Sequence, residues 1–166
     1  IYDLTPANYE KSVQMAKLVK HLCLQAYDEV TGSRDFITSY FPKMVFLVGS
    51  PAYNNNGEVV LGTAEGGTKI TLYAVNDVDL LNEWYFKTIH HEFAHILNQK
   101  KPFSTDFNQI TGLATGIRYV GNACWDVYPS EDLALKDGFI SRYASTSAEE
   151  EFVEVSSIYV TNTAAT

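Results

Sequence analysis

The sequence predicts an α+β fold: a small twisted mixed sheet with two long helices, then a mainly helical C-terminal part. Three observations carry this. Strand-like runs at 44–48, 59–63 and 69–75 all precede residue 76, and no convincing run follows. From Asp79 to Lys101 neither Pro nor Gly interrupts, and Leu80, Leu81, Trp84, Phe86, Ile89, Phe93, Ile96 and Leu97 recur at helical spacing. Ser147 then opens another helical stretch, running to about Val160. A length of 166 residues fits one domain, 1–166, with an N-terminal lobe over 1–101 and a C-terminal lobe over 102–166.

Taken in order, Thr5 and Pro6 read as the cap and first position of a helix ending at Gly32. Its expected inner stripe is Met15, Ala16, Val19, Leu22, Cys23, Ala26 and Val30. Met44 to Val48, apolar throughout, reads as a central strand. The turn-rich Asn54-Asn55-Asn56-Gly57 precedes the next run, and Glu65-Gly66-Gly67-Thr68 joins it to 69–75 as a hairpin. Pro102 stops the long helix, and short helices and loops follow. Cys23 and Cys124 lack metal-ligand spacing and read as buried free thiols or one long-range disulfide.

A net charge of −8 argues against a nucleic-acid backbone or an anionic membrane surface as partner. No run approaches the roughly 18 apolar residues of a membrane span. The chain starts at Ile1 rather than Met, so a trimmed piece is expected.

The chemistry gathers at His91-Glu92-Phe93-Ala94-His95. On a helix, residues four apart lie about 40° apart around the axis, so both imidazoles can face one ion. Two neutral nitrogens suit zinc. Glu92 flanks that ion without being its natural ligand, and from there it can take a proton from a water. The neighbouring His90 is turned by about 100° and should be a core or lobe-contact histidine rather than a ligand.

A second cluster, Glu149-Glu150-Glu151 with Glu154, lies in the C-terminal helix. Ser147 and Glu150 are spaced as a capping box, and acids favour a first turn, which accounts for one or two of the four. Glu154 is not so explained. It shares a face with Glu150, whereas Glu149 and Glu151 are each turned by about 100°; one carboxylate could bind metal and the other orient a histidine. Phe152 and Val155 would then bury this helix against the histidine helix.

With these residues in view, the chain resembles a zincin metallopeptidase of the glutamate-ligand kind. The pairing of His91-Glu92-Phe93-Ala94-His95 with Tyr143, Glu150 and Glu154 is similar to the catalytic domain of anthrax lethal factor. That likeness implies zinc held by His91, His95 and Glu150, Glu92 as catalytic base, Tyr143 steadying the oxyanion, and Glu154 bonding a ligand histidine. Ala52 to Asn55, with Val59 to Gly62, resembles the thermolysin stretch whose first part is the edge strand holding peptides. More broadly, Phe46 to Ser50, Leu61 to Gly67, the histidine motif and Gly138-Phe139-Ile140 with Tyr143-Ala144 look like zinc-binding metallopeptidase lipoproteins of Bacteroides-type bacteria. Val153 departs from the smaller residue such zincins more often carry.

That resemblance implies a zinc-dependent endopeptidase on peptide or protein substrates, at the outer membrane, the periplasm or the cell surface, beside a nutrient-import system. Any lipid anchor would lie outside this chain. Two other functions stay open: an accessory binding protein that keeps a zinc site, and a zinc hydrolase with a non-peptide substrate. Glu92 speaks against pure binding, because a structural site has no use for it.

Overall fold

A computed structural model describes residues 4–55, 57–116 and 118–162; the side chains of 81, 82 and 112–115 lie outside that description. The chain divides into two compact units, Ile1–Lys100 and Lys101–Thr166. The fold is α+β.

The first unit opens with α1, Tyr9–Leu18. Its cap is Asn8, whose side chain accepts from the Glu10 N–H, not Thr5 as the sequence suggested. Thr5 and Pro6 are instead drawn onto the sheet: the Gly49 N–H donates to the Thr5 carbonyl, and Pro6 bridges Val48. A π-helical turn, Val19–Leu24, leads into α2, Gln25–Thr31, which ends at Gly32 in the left-handed conformation. The wide turn changes which side chains face inward. Met15, Val19 and Cys23 are buried at four-residue steps, while Leu22 and Val30 of the expected stripe are exposed. Four-residue steps drift around an α-helix by about 40° each, and a wider turn absorbs that drift. A short helix α3, Asp35–Tyr40, follows.

Among the described residues, five strands come next: β1 Met44–Leu47, β2 Ala52–Tyr53, β3 Val59–Val60, β4 Gly62–Glu65 and β5 Lys69–Leu72. The main sheet has the order β1-β5-β4, with β1 parallel and β4 antiparallel to β5; β2 and β3 form a separate antiparallel pair. The central strand is therefore β5, and β1 lies at an edge. Met44 and Phe46 are about half exposed, whereas Ile70, Thr71 and Leu72 are buried. The Lys69 ammonium lies over the half-exposed Phe46 ring, 4.9 Å from its centroid. The run 59–63 is broken at Leu61, whose carbonyl accepts from the Tyr73 N–H.

The long helix α4 spans Val78–Lys100. Its inward line is Val78, Tyr85, Ile89, Phe93 and Ile96, packed with Met15, Ile70 and Leu72 in one core. Leu80 and Trp84, expected in that band, are exposed. Tyr85 takes the place inside because its hydroxyl can donate to the Tyr73 carbonyl.

In the second unit, the described residues form α5 Phe107–Thr115, α6 Cys124–Val127, α7 Glu131–Lys136 and α8 Ala148–Thr161, and no strand. A small core gathers Tyr128, Ala134, Phe139 and Ala144. Phe152 packs on Phe103 and Phe107, while Val155 is 40% exposed, so that pair does not make the apolar face expected of it. Ala148, Glu151, Val153, Glu154 and Ser157 are the buried residues of α8. Cys23 and Cys124 are free and buried.

Candidate metal centre

The four-residue spacing on α4 does what helical geometry requires. The rings of His91 and His95 stand 4.9 Å apart, centroid to centroid, at an interplanar angle of 77°. His91 is buried and His95 half-buried. Glu92 is only 7% exposed. It faces β4, where Gly62 removes the side chain that would collide with it: a Cβ there would lie 2.9 Å from Glu92 Cγ and 2.7 Å from Thr88 Cγ2. Gly62 is thus what lets α4 approach the strand at the level of Glu92. The sequence placed Gly62 in a motif block but gave no reason for it.

His90 is buried, and the first unit occupies both its ring nitrogens. Nε2 stands 3.1 Å from the Leu22 carbonyl, which can only accept, so Nε2 carries the hydrogen. Nδ1 then accepts from the Tyr27 hydroxyl at 3.2 Å. Burial holds this imidazole below the usual histidine range, against the opposing pull of the Leu22 carbonyl. Tyr27 and Phe86 pack against the ring. His90 therefore serves as a core residue that ties α4 to the π turn.

In the second unit, Ser147 caps α8, accepting from the Glu150 N–H at 3.2 Å. The four glutamates then divide by environment. Glu149 is exposed. Glu150 is half-buried, with Oε2 shut off from solvent. Glu151 is 4% exposed and accepts from Thr111 Oγ1 at 2.6 Å and from the Tyr119 hydroxyl at 2.5 Å. Glu154 is 2% exposed, with Oε2 accepting from Ser141 Oγ at 2.6 Å. Glu150 and Glu154 share one face of α8, as the spacing requires.

Burial of Glu151 is a feature the sequence did not disclose. Its partners lie 32 and 40 residues away, and one hydroxyl in a loop has no periodic signature. Ser141 was missed for the same reason; its oxygen also accepts from the Ala144 N–H at 3.0 Å, one residue beyond Tyr143. Tyr143 begins a 3-10 turn, Tyr143–Ser145, and stacks on Trp125 at 6.3 Å. Arg142 holds Trp125 in turn, donating to its carbonyl at 3.0 Å with the guanidinium 4.6 Å from the ring. The segment before α8 is further stitched by Val120 N–H to the Ser145 carbonyl and Gly121 N–H to the Thr146 carbonyl.

Comparison with known proteins fits this chemistry. The model of the family described as "Putative zinc-binding metallo-peptidase" matches residues 1–166. A crystal structure described as a putative zinc-binding metallo-peptidase from Bacteroides caccae is 41% identical, with a TM-score of 0.71; the match covers 98% of this chain and 61% of that one. The chain thus spans under two thirds of that relative's length. No curated protein matches it.

Proposed function

The chain belongs to the family of putative zinc-binding metallo-peptidases, and from that premise we propose that it is a zinc-dependent endopeptidase whose metal is held by His91, His95 and Glu150. The observation that carries this reading is the pair of adjacent imidazoles on one face of α4 with a buried glutamate between them in sequence. Two imidazoles and a carboxylate are a zinc donor set of the catalytic kind, which leaves a position open for chemistry. Among the four glutamates, Glu150 is favoured as the third ligand. Glu151 is committed to Thr111 and Tyr119, Glu149 faces water, and Glu154 is engaged by Ser141.

When bound, zinc would polarise a substrate carbonyl and make a water more acidic. Glu92 takes the proton from the attacking water and returns it to the departing amine. Its buried place against Gly62 limits the directions it can take. Tyr143, braced by Trp125, donates to the oxygen that gains charge, a role typically worth about 3 kcal/mol. Glu154 accepts the free N–H of a ligand histidine and fixes its tautomer. This ligand plan is the one the chain shares, by resemblance, with the lethal factor catalytic domain. The peptide lies as an added strand along β2, near Ala52 to Asn55. By the wider resemblance the protein works at the cell envelope, lipid-anchored, beside a nutrient-import system.

Metal analysis combined with a peptide-library digest tests the reading, on wild type and Glu92→Gln. The expected outcome is zinc in both and cleavage in wild type alone. Zinc in both with cleavage in neither would favour an accessory binding protein, and no zinc in either would end the proposal.

A further inference from the structure

One cleft, of about 450 Å³, lies wholly in the first unit and is not used above. Tyr53, Val59, Leu61, Ala74, Asp77 and Trp84 line it. Tyr53, Val59 and Trp84 are large apolar side chains left 44%, 54% and 63% exposed. Three such residues around one hollow mark a binding surface more than scattered exposure would. Ala74, a non-glycine residue at φ 55°, turns the chain between β5 and α4 at this point.

Asp77 gives these apolar walls one carboxylate. Among the described residues no cation pairs with it. Its place just before Val78 suits an acid at a helix N-terminus. That accounts for the charge but not for the aromatic rings around it.

The cleft and Glu92 are linked along one line of α4. Trp84, Thr88 and Glu92 follow at four-residue steps on α4, and Thr88 and Glu92 are the two side chains crowding Gly62, next to Leu61. Eight residues of helix span about 12 Å. An extended peptide rises about 3.3 Å per residue, so a side chain three or four residues from the attacked bond reaches the cleft.

We propose that this cleft is a specificity subsite for a lysine or arginine side chain of the peptide, three or four residues from the bond cleaved. The inference rests on the peptidase reading for its position. The methylene stem lies on Val59 and Leu61, and the cation meets the Asp77 carboxylate and the face of Trp84 or Tyr53. A chain of net charge −8 also attracts basic peptides over distance.

The test is calorimetric titration of the zinc-loaded Glu92→Gln chain, which is expected not to turn peptide over. The ligands are alanine-based octapeptides carrying one Arg, Lys, Leu or Glu at successive positions. Arg and Lys at one position should bind about tenfold more tightly than Leu, and the gain should vanish on adding Asp77→Asn, a substitution of equal size whose folding is checked by melting. Trp84→Ala should reduce the gain as well. Equal binding of Arg and Leu peptides, a gain that survives Asp77→Asn, or no binding of any peptide would overturn the proposal. Digestion of the same peptides by wild type separates the two readings. A basic preference in binding with nothing cleaved would refute the peptidase and keep the subsite; cleavage indifferent to that position would do the reverse.

Discussion

Replacing Gly62 with alanine should damage the proposed catalytic base without touching a metal ligand. The added Cβ would stand 2.7 Å from Thr88 Cγ2 and 2.9 Å from Glu92 Cγ, with Glu92 Oε1 at 3.0 Å. Carbon atoms pack at about 3.5 Å or more, so the two carbon contacts fall short by roughly 0.6–0.8 Å. Thr88 is stiff at its branched Cβ, and its hydroxyl is already bound to the Trp84 carbonyl at 2.8 Å. The strain therefore falls on Glu92 or on the packing of α4 against β4. Overpacking of this size costs about 1–3 kcal/mol of stability. If Glu92 yields by close to 1 Å, the rate should fall by about 10²-fold. Three measurements on one preparation decide it: kcat/KM on a peptide found in the library digest, zinc per chain, and the melting temperature. We expect slow turnover, full zinc and modest destabilisation. Wild-type turnover at wild-type Tm would show that Glu92 has room to spare and would refute this account. Lost zinc would mean that α4, which carries both histidines, had moved rather than the base alone.

Alanine at each of the four α8 glutamates should rank zinc affinity by environment: Glu150→Ala worst, Glu154→Ala weaker by roughly 10–100-fold, and Glu149→Ala unchanged, read by chelator competition. A larger loss at Glu149 would show the wrong register. Glu151→Ala should instead lower stability by about 3 kcal/mol, because the Thr111 and Tyr119 hydroxyls lose a charged, buried acceptor; an unaltered melting temperature would show that this clamp carries little. His90→Ala should likewise reduce stability more than zinc binding, and loss of metal from a folded chain would contradict its role in the core. Burial pushes the Cys23 thiol up to about 12 from an ordinary 9.0. The folded chain then keeps its proton where the unfolded chain becomes thiolate, so stability falls as pH rises through 9 towards 12. Alkylation at pH 8 should be slow until the chain is unfolded, and rapid native labelling of Cys23 would count against this.

The histidine motif was legible because it is local. Spacing along one helix places His91 and His95 side by side whatever surrounds them, and an uninterrupted run from Asp79 is enough to guarantee the helix. The hairpin about Gly66 and Gly67, the cap at Ser147 and the shared face of Glu150 and Glu154 were legible for the same reason: each is settled within a few residues. What the sequence left undecided depends on partners far along the chain. Whether β1 or β5 is central depends on which strands pair, and an apolar run looks alike in either place. Pro6 fits a helix start in isolation, yet a bridge to Val48 holds it on the sheet. Leu80 and Trp84 match the helical period but stay outside, while Tyr85 goes in because a carbonyl from Tyr73 awaits its hydroxyl. Likewise, four glutamates within six positions are chemically equal on paper. Only the fold brings Thr111 and Tyr119 to Glu151 and Ser141 to Glu154, and a buried carboxylate needs such donors to stay inside.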